Sequence, residues 1–171
     1  MRQICLIGPQ ACALALRLFE ALGQRPVGYR LVPFALAGRE KGQLLRLLAS
    51  PPGETANDVP CVARLGPERE VVIHEALDEV AAPALRRTLH VHAPVLLDGL
   101  RAAFLAPGAF RDAVADCLAG PYRVVACLHP DAEPILRGME GGKEALFLPV
   151  TGENMEDLML QLQGECFLDA Q

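Results

Sequence analysis

Apolar residues fall along this chain in short unbroken runs that alternate with longer stretches of helical spacing, so the pattern reads as strands alternating with helices. The run Ile4-Cys5-Leu6-Ile7, closed by Gly8, suits a strand buried on both faces of a parallel sheet, although periodicity alone leaves a helical turn open. A helix is predicted over 11–22, where Leu14, Ala15, Leu18, Phe19 and Leu22 make one broad apolar face, Arg17 and Glu20 share another side, and Gly23 ends it. Between Pro26 and Ile73 the texture changes to short runs at 27–34, 43–48, 59–65 and 70–73, separated by turns such as Ala37-Gly38 and Pro51-Pro52-Gly53. That is the pattern of an antiparallel meander, with 43–48 readable either as a strand or as a helical turn of leucines. Residues 75–89 carry apolar positions at helical spacing despite Pro83, which predicts a helix bent or strained there. Buried strands follow at 94–98, 124–128 and 145–150, interleaved with helices at 107–118 and 153–162. Strands alternating with helices imply an α/β fold with a mainly parallel sheet, here carrying a meander insertion over 26–73.

Length and composition narrow the class. At 171 residues the chain is expected to form one domain with a substantial core, and 51% hydrophobic with 22% charged residues is the balance of a packed globular protein. No apolar run is long enough to span a bilayer, and Met1-Arg2-Gln3 leads into a strand without a signal-peptide pattern, so cytoplasmic residence and no membrane partner are expected. The six cysteines, Cys5, Cys12, Cys61, Cys117, Cys127 and Cys166, lack C-x-x-C spacing and sit mostly in apolar runs, as buried reduced thiols do. A net charge of −5 without a basic stripe argues against nucleic acid as a partner.

The loop after the first strand has the outline of a phosphate-binding loop. Such a loop reads G-x-x-x-x-G-K-[ST]: the second glycine lets the backbone close on the anion, the lysine neutralises the outer phosphates and the hydroxyl binds magnesium. The candidate residues here are Gly8, Pro9, Gln10, Ala11, Cys12, Ala13, Leu14 and Ala15, and the register puts Ala13, Leu14 and Ala15 where glycine, lysine and hydroxyl belong. Lys41 and Lys143 are the only lysines, and neither lies nearby. Asp98, at the end of a buried strand, stands where a nucleotide hydrolase holds magnesium; a solvated strand-end carboxylate or a helix cap is the alternative. His129 ends another strand, so Gly8, Asp98 and His129 are expected to converge on one sheet edge.

Five short segments in order then resemble the thermophile-type, or cancer-related, nucleoside-triphosphatase family. Gly28-Tyr29 is similar to its G-F-Y strand start, and Pro83-Ala84-Leu85-Arg86-Arg87 to its L-P-A-L-R-R-A helix. The stretch from Asp98 to Leu105 aligns without gaps to D-E-I-G-K-M-E-L, with Phe110 where that pattern reaches a phenylalanine. Cys127-Leu128-His129 is similar to T-I-H, and Thr151-Gly152-Glu153-Asn154 to T-x-E-N-R. The resemblance implies a P-loop, RecA-like three-layer sandwich, with nucleoside triphosphates as substrates in ordinary members.

Against that pattern this chain departs at most catalytic positions. Besides the three loop replacements, Gly99 stands for the glutamate expected to position water, Ala102 and Phe104 for a lysine and a second glutamate, and Met155 for an arginine. Losing one buried charge-assisted contact costs about 2–5 kcal/mol, so loss of the lysine alone weakens a phosphate grip by roughly thirty-fold or more. Arg17 and Arg101 are candidate substitutes, with Arg17 expected to face solvent. His90-x-His92 and His74 read as exposed histidines rather than metal ligands, and Cys12 as a small side chain filling the loop rather than a reactive thiol at a helix N-terminus. The expectation is a degenerate P-loop protein without hydrolysis, serving protein interaction or regulation. Asp98 and His129 are its surviving catalytic candidates, Asp98 its one metal candidate, and weak ATP or GTP binding with magnesium its sole cofactor possibility. The alternative is a working or nucleotide-sensing phosphohydrolase, converting a nucleoside triphosphate to the diphosphate and phosphate with non-standard residues.

Overall fold

The computed structural model describes residues 3–48 and 58–165; the Pro51-Pro52-Gly53 turn and Cys166 lie outside them. One eight-stranded sheet runs through the molecule in the order β5-β4-β3-β2-β6-β7-β1-β8. Its parallel part holds β1 (Ile4–Ile7), β6 (Val95–Leu100), β7 (Val124–Leu128), β8 (Leu146–Pro149) and the first residues of β2 (Val27–Leu36). Every residue of β1 and β7 is buried, which is why both read as unbroken apolar runs without alternation.

β2 belongs to both halves of the sheet. Val27, Gly28 and Tyr29 pair in parallel with Val95, Leu96 and Leu97, after which the strand continues into an antiparallel hairpin with β3 (Arg39–Leu48). Gly28 makes the first pairing possible: its φ is +106°, and a Cβ there would run into the Leu96 carbonyl. The meander then proceeds through β4 (Val59–Arg64) to β5 (Glu70–Val72), each antiparallel to its predecessor. The 43–48 ambiguity resolves as strand, because these residues pair antiparallel with β2 from Pro33 opposite Gln43 to Gly28 opposite Leu48, with Leu45 fully buried.

Helices cover both faces. On one, α1 (Ala11–Ala21) and α5 (Met155–Glu165) pack on Ile4, Leu6, Leu96, Val125 and Cys127. On the other, α2 (Ala82–Thr88), α3 (Ala109–Ala119) and α4 (Glu133–Gly138) cover the larger core around Tyr29, Leu97, Phe104 and Phe110. This is the expected three-layer arrangement.

One expectation needs correction. The helix predicted over 75–89 is not one bent rod: wide π-type turns over Ala76–Ala81 precede α2, and Pro83 sits in the first turn of α2 rather than mid-helix. Proline has no N–H for the bond an α-helix would form there, and the chain widens just before it, with the Ala82 N–H reaching back five residues to the Leu77 carbonyl. The same wide segment presents Asp78, whose Oδ1 accepts the Phe110 N–H at 2.8 Å and so caps the start of α3. Between β7 and β8 lie a short 3₁₀ turn (Pro130–Ala132) and α4, for which the sequence carries no apolar periodicity.

Candidate functional site

β1, β6 and β7 run in the same direction, so their carboxyl ends bring Gly8, Asp98 and His129 to one edge of the sheet, as expected. The edge is held by backbone bonds between the chain segments leaving the strands. Gly8 N–H donates to the Leu128 carbonyl at 3.0 Å, His129 N–H to the Leu100 carbonyl at 2.8 Å, and Val150 N–H to the Ile7 carbonyl at 2.8 Å.

The loop itself is tight. Gly8 turns the chain with φ +116°, and α1 already begins at Ala11, whose N–H bonds back to the Gly8 carbonyl at 3.1 Å. Leu14 N–H then closes the first helical turn on the Gln10 carbonyl at 3.1 Å. Pro9, Gln10 and Ala13 are exposed and Cys12 is half-buried, whereas Ala11, Leu14 and Ala15 are buried against the sheet. The positions aligned with the lysine and hydroxyl of a phosphate loop are therefore core residues, with neither a charge nor a donor on their side chains.

Asp98 is nearly buried, at 6% exposure, and its Oδ2 accepts the Leu31 backbone N–H at 2.9 Å. That N–H lies just past the last β2–β6 pair, Tyr29 with Leu97, where the two strands part and a ladder partner is lost. Gly99 follows with φ +65°, and a Cβ there would run into Leu31 Cδ1. Leu31 thus occupies the space beside the position where the resemblance expects a glutamate. Tyr29, fully buried against Phe110, keeps its hydroxyl protonated far above the ordinary range, through burial first and the Asp98 charge second.

His129 lies at the exposed rim. Its Nδ1 is 2.9 Å from Asp131 Oδ1, and that oxygen also accepts the Ala102 N–H at 3.0 Å. The Thr151–Asn154 motif is a reciprocal cap for α5: Thr151 N–H donates to Asn154 Oδ1 at 2.8 Å and Asn154 N–H to Thr151 Oγ1 at 3.3 Å.

Both candidate arginines are engaged elsewhere. Arg17 extends outward to Glu156 on α5, at 2.7 Å and 3.1 Å. Arg101 reaches away to the meander, donating to Glu70 Oε2 at 3.0 Å and Gln43 Oε1 at 2.7 Å, with its guanidinium 5.0 Å from the Phe104 ring centre. His74, His90 and His92 are exposed, and no group of three or more metal-ligating side chains occurs among the described residues. Sequence reasoning missed Leu31, Asp131 and the neighbouring thiols of Cys12 and Cys127; Leu31 and the cysteine pair depend on partners distant in the chain, whereas Asp131, two residues after His129, lay within local reach.

Among the described residues no helix is long and apolar enough to cross a membrane. No family model matches the sequence, and no curated protein matches it. Solved structures do. The human cancer-related nucleoside triphosphatase is similar to this chain with a TM-score of 0.73 and 20% identity over 100% of both chains. THEP1 from the hyperthermophile Aquifex aeolicus is similar with a TM-score of 0.70 and 20% identity, over 95% of this chain and 96% of that one. The eight-stranded mixed sheet with helices on both faces is therefore the P-loop nucleoside-triphosphatase-like α/β fold shared with these two proteins.

Proposed function

We propose that this chain is a degenerate member of the nucleoside-triphosphatase family it resembles, one that keeps the fold, lacks hydrolysis and acts through contact with another protein. The observation that carries the reading is the burial of Leu14 and Ala15, both at 0% exposure, in the places of the lysine and the magnesium-binding hydroxyl. Transfer of a phosphoryl group depends almost wholly on positioning and on electrostatic stabilisation of the outer phosphates. The loop side chains supply neither. Asp98 fits a magnesium site poorly as well, since Oδ2 is committed to the Leu31 N–H and Leu31 covers the adjoining Gly99. The residues present do not fit a magnesium-bound triphosphate, and no catalytic step is assigned through one.

A role in protein contact is supported by the β2–β3 hairpin. Phe34 and Leu36, two residues apart and so on one face of β2, are 41% and 62% exposed. Calorimetric titration with ATP and with GTP, each with and without magnesium, tests the central claim. No heat up to millimolar nucleotide is expected. Tight, magnesium-dependent binding would overturn the reading in favour of a working or nucleotide-sensing phosphohydrolase.

A further inference from the structure

Two thiols meet at the edge where a phosphate loop and a magnesium-binding strand would meet. Cys12 lies in the first turn of α1, and Cys127 is the penultimate residue of β7, level with Leu6 of β1. Cys12 packs on the apolar cluster that contains Cys127, and the two thiols are close enough for Cys12 to act on the titration of Cys127. Both are free thiols. Their exposures differ in a useful way: Cys12 is half-buried, whereas Cys127 is only 2% exposed.

We propose that Cys12 and Cys127 form a two-thiol oxidation site, in which a peroxide oxidises Cys12 and Cys127 then closes an intramolecular disulfide between α1 and β7. In the first step the Cys12 sulfur takes one oxygen from hydrogen peroxide: the O–O bond breaks, an S–O bond forms, Cys12 becomes a sulfenic acid and one water leaves. In the second, the Cys127 sulfur displaces the sulfenic hydroxyl: an S–S bond forms, and the Cys127 proton departs with that hydroxyl as a second water. The two thiols together supply the two electrons that reduce the peroxide. Cys127 takes the resolving role by position, as the thiol beside Cys12, and because the thiolate is the attacking form its raised value makes closure slow at neutral pH and faster as pH rises. The neighbouring Cys12 thiol first, then burial and the nearby Asp98 charge, push Cys127 well above the ordinary thiol range. The other described cysteines are not rivals for the first step: Cys5, Cys61 and Cys117 are 0% exposed, and burial pushes Cys5 and Cys117 up to about 12 and Cys61 up to about 11.

This chemistry needs no nucleotide, so its failure and the failure of the functional reading above are separate results. The test uses the full chain with Cys166→Ser, so that only described thiols remain. After treatment with hydrogen peroxide, free thiols should fall from five (six cysteines less Cys166) to three, with the loss of two hydrogens from the intact mass. A disulfide-linked peptide pair should join Cys12 to Cys127 and disappear on reduction. Adding Cys127→Ser should leave a sulfenic acid at Cys12 that a cyclic-diketone probe labels, and Cys12→Ser should leave Cys127 unmodified. Should either serine variant fail to fold, peptide mapping of the parent decides the matter. Five thiols persisting, Cys12 passing straight to sulfinic acid with Cys127 still free, or a link between other cysteines would each overturn the proposal.

Discussion

The backbone N–H of Leu31 donates to the Asp98 carboxylate over 2.9 Å, tying the acidic end of β6 to the strand beside it. Asp98 thereby satisfies a donor stranded where β2 and β6 part. Replacing it by alanine leaves that N–H without its acceptor in a largely buried place, a loss of about 1–3 kcal/mol. Asp98→Asn keeps an acceptor oxygen and should cost clearly less. Urea denaturation of both variants checks the order; equal stability of Asp98→Ala and the parent would remove the structural role.

Leu31 also determines what can follow Asp98. Gly99 has φ +65°, where a residue with a side chain is strained by roughly 1–2 kcal/mol, and a Cβ there would meet Leu31 Cδ1. Gly99→Glu, which restores the residue expected from the family resemblance, should therefore lower the melting temperature and yield no phosphate release from ATP or GTP. Measurable turnover by this variant would show that the site needs only its water-positioning carboxylate.

The sequence exposes what is decided locally and hides what is decided across the sheet. β1 and β7 were legible because strands buried on both faces carry unbroken apolar runs, and the meander because glycine and proline punctuate it. α4 was not: it is a six-residue helix that carries Pro134 and Gly138 and buries only Leu136 completely. Pro83 signalled trouble in its helix, but whether the chain would kink or widen depends on how Ala76, Leu77 and Ala81 pack. At the site, Asp98 and His129 were legible as strand ends sharing an edge. The cover by Leu31 was not, because it joins residues 31 and 98, whereas the helix face that commits Leu14 and Ala15 to the core was legible in the apolar spacing over 11–22.

The β2–β3 hairpin turns through two residues, Ala37 at φ +51° and Gly38 at φ +73°, the two positive values that a type I′ turn requires. Only the alanine is strained there. Ala37→Gly should stabilise the protein by about 0.5–1 kcal/mol, the relief of left-handed strain less the greater freedom of glycine in the unfolded chain. The midpoint of urea denaturation should rise; a fall would mean that the Ala37 methyl makes a contact worth more than its strain.

Glu70 joins the meander to the parallel half of the sheet, its Oε1 accepting from Arg64 at 2.9 Å and its Oε2 from Arg101 at 3.0 Å. The Arg64 hydrogen bond foremost, then the Arg101 charge, hold its carboxyl below the ordinary 4.5 against the opposing effect of burial. Arg46 acts likewise on Asp58, and Arg17 on Glu156. A carboxyl with a lower value folded than unfolded stabilises fully above its unfolded value, and that contribution drains away as pH falls through the folded one. Stability should thus be flat from neutrality to near pH 4.5 and decline below it. With 42% of the Glu70 side chain exposed, solvent screening keeps its share small, so the slope is the informative readout rather than absolute stability. Arg64→Ala with Arg101→Ala lowers stability at neutral pH by removing contacts, yet it should flatten the acid decline, as should high salt in the parent. An acid slope unchanged in the double variant would mean that Glu70 titrates alike in the folded and unfolded chains, and that Arg64 and Arg101 hold the meander in place by packing alone.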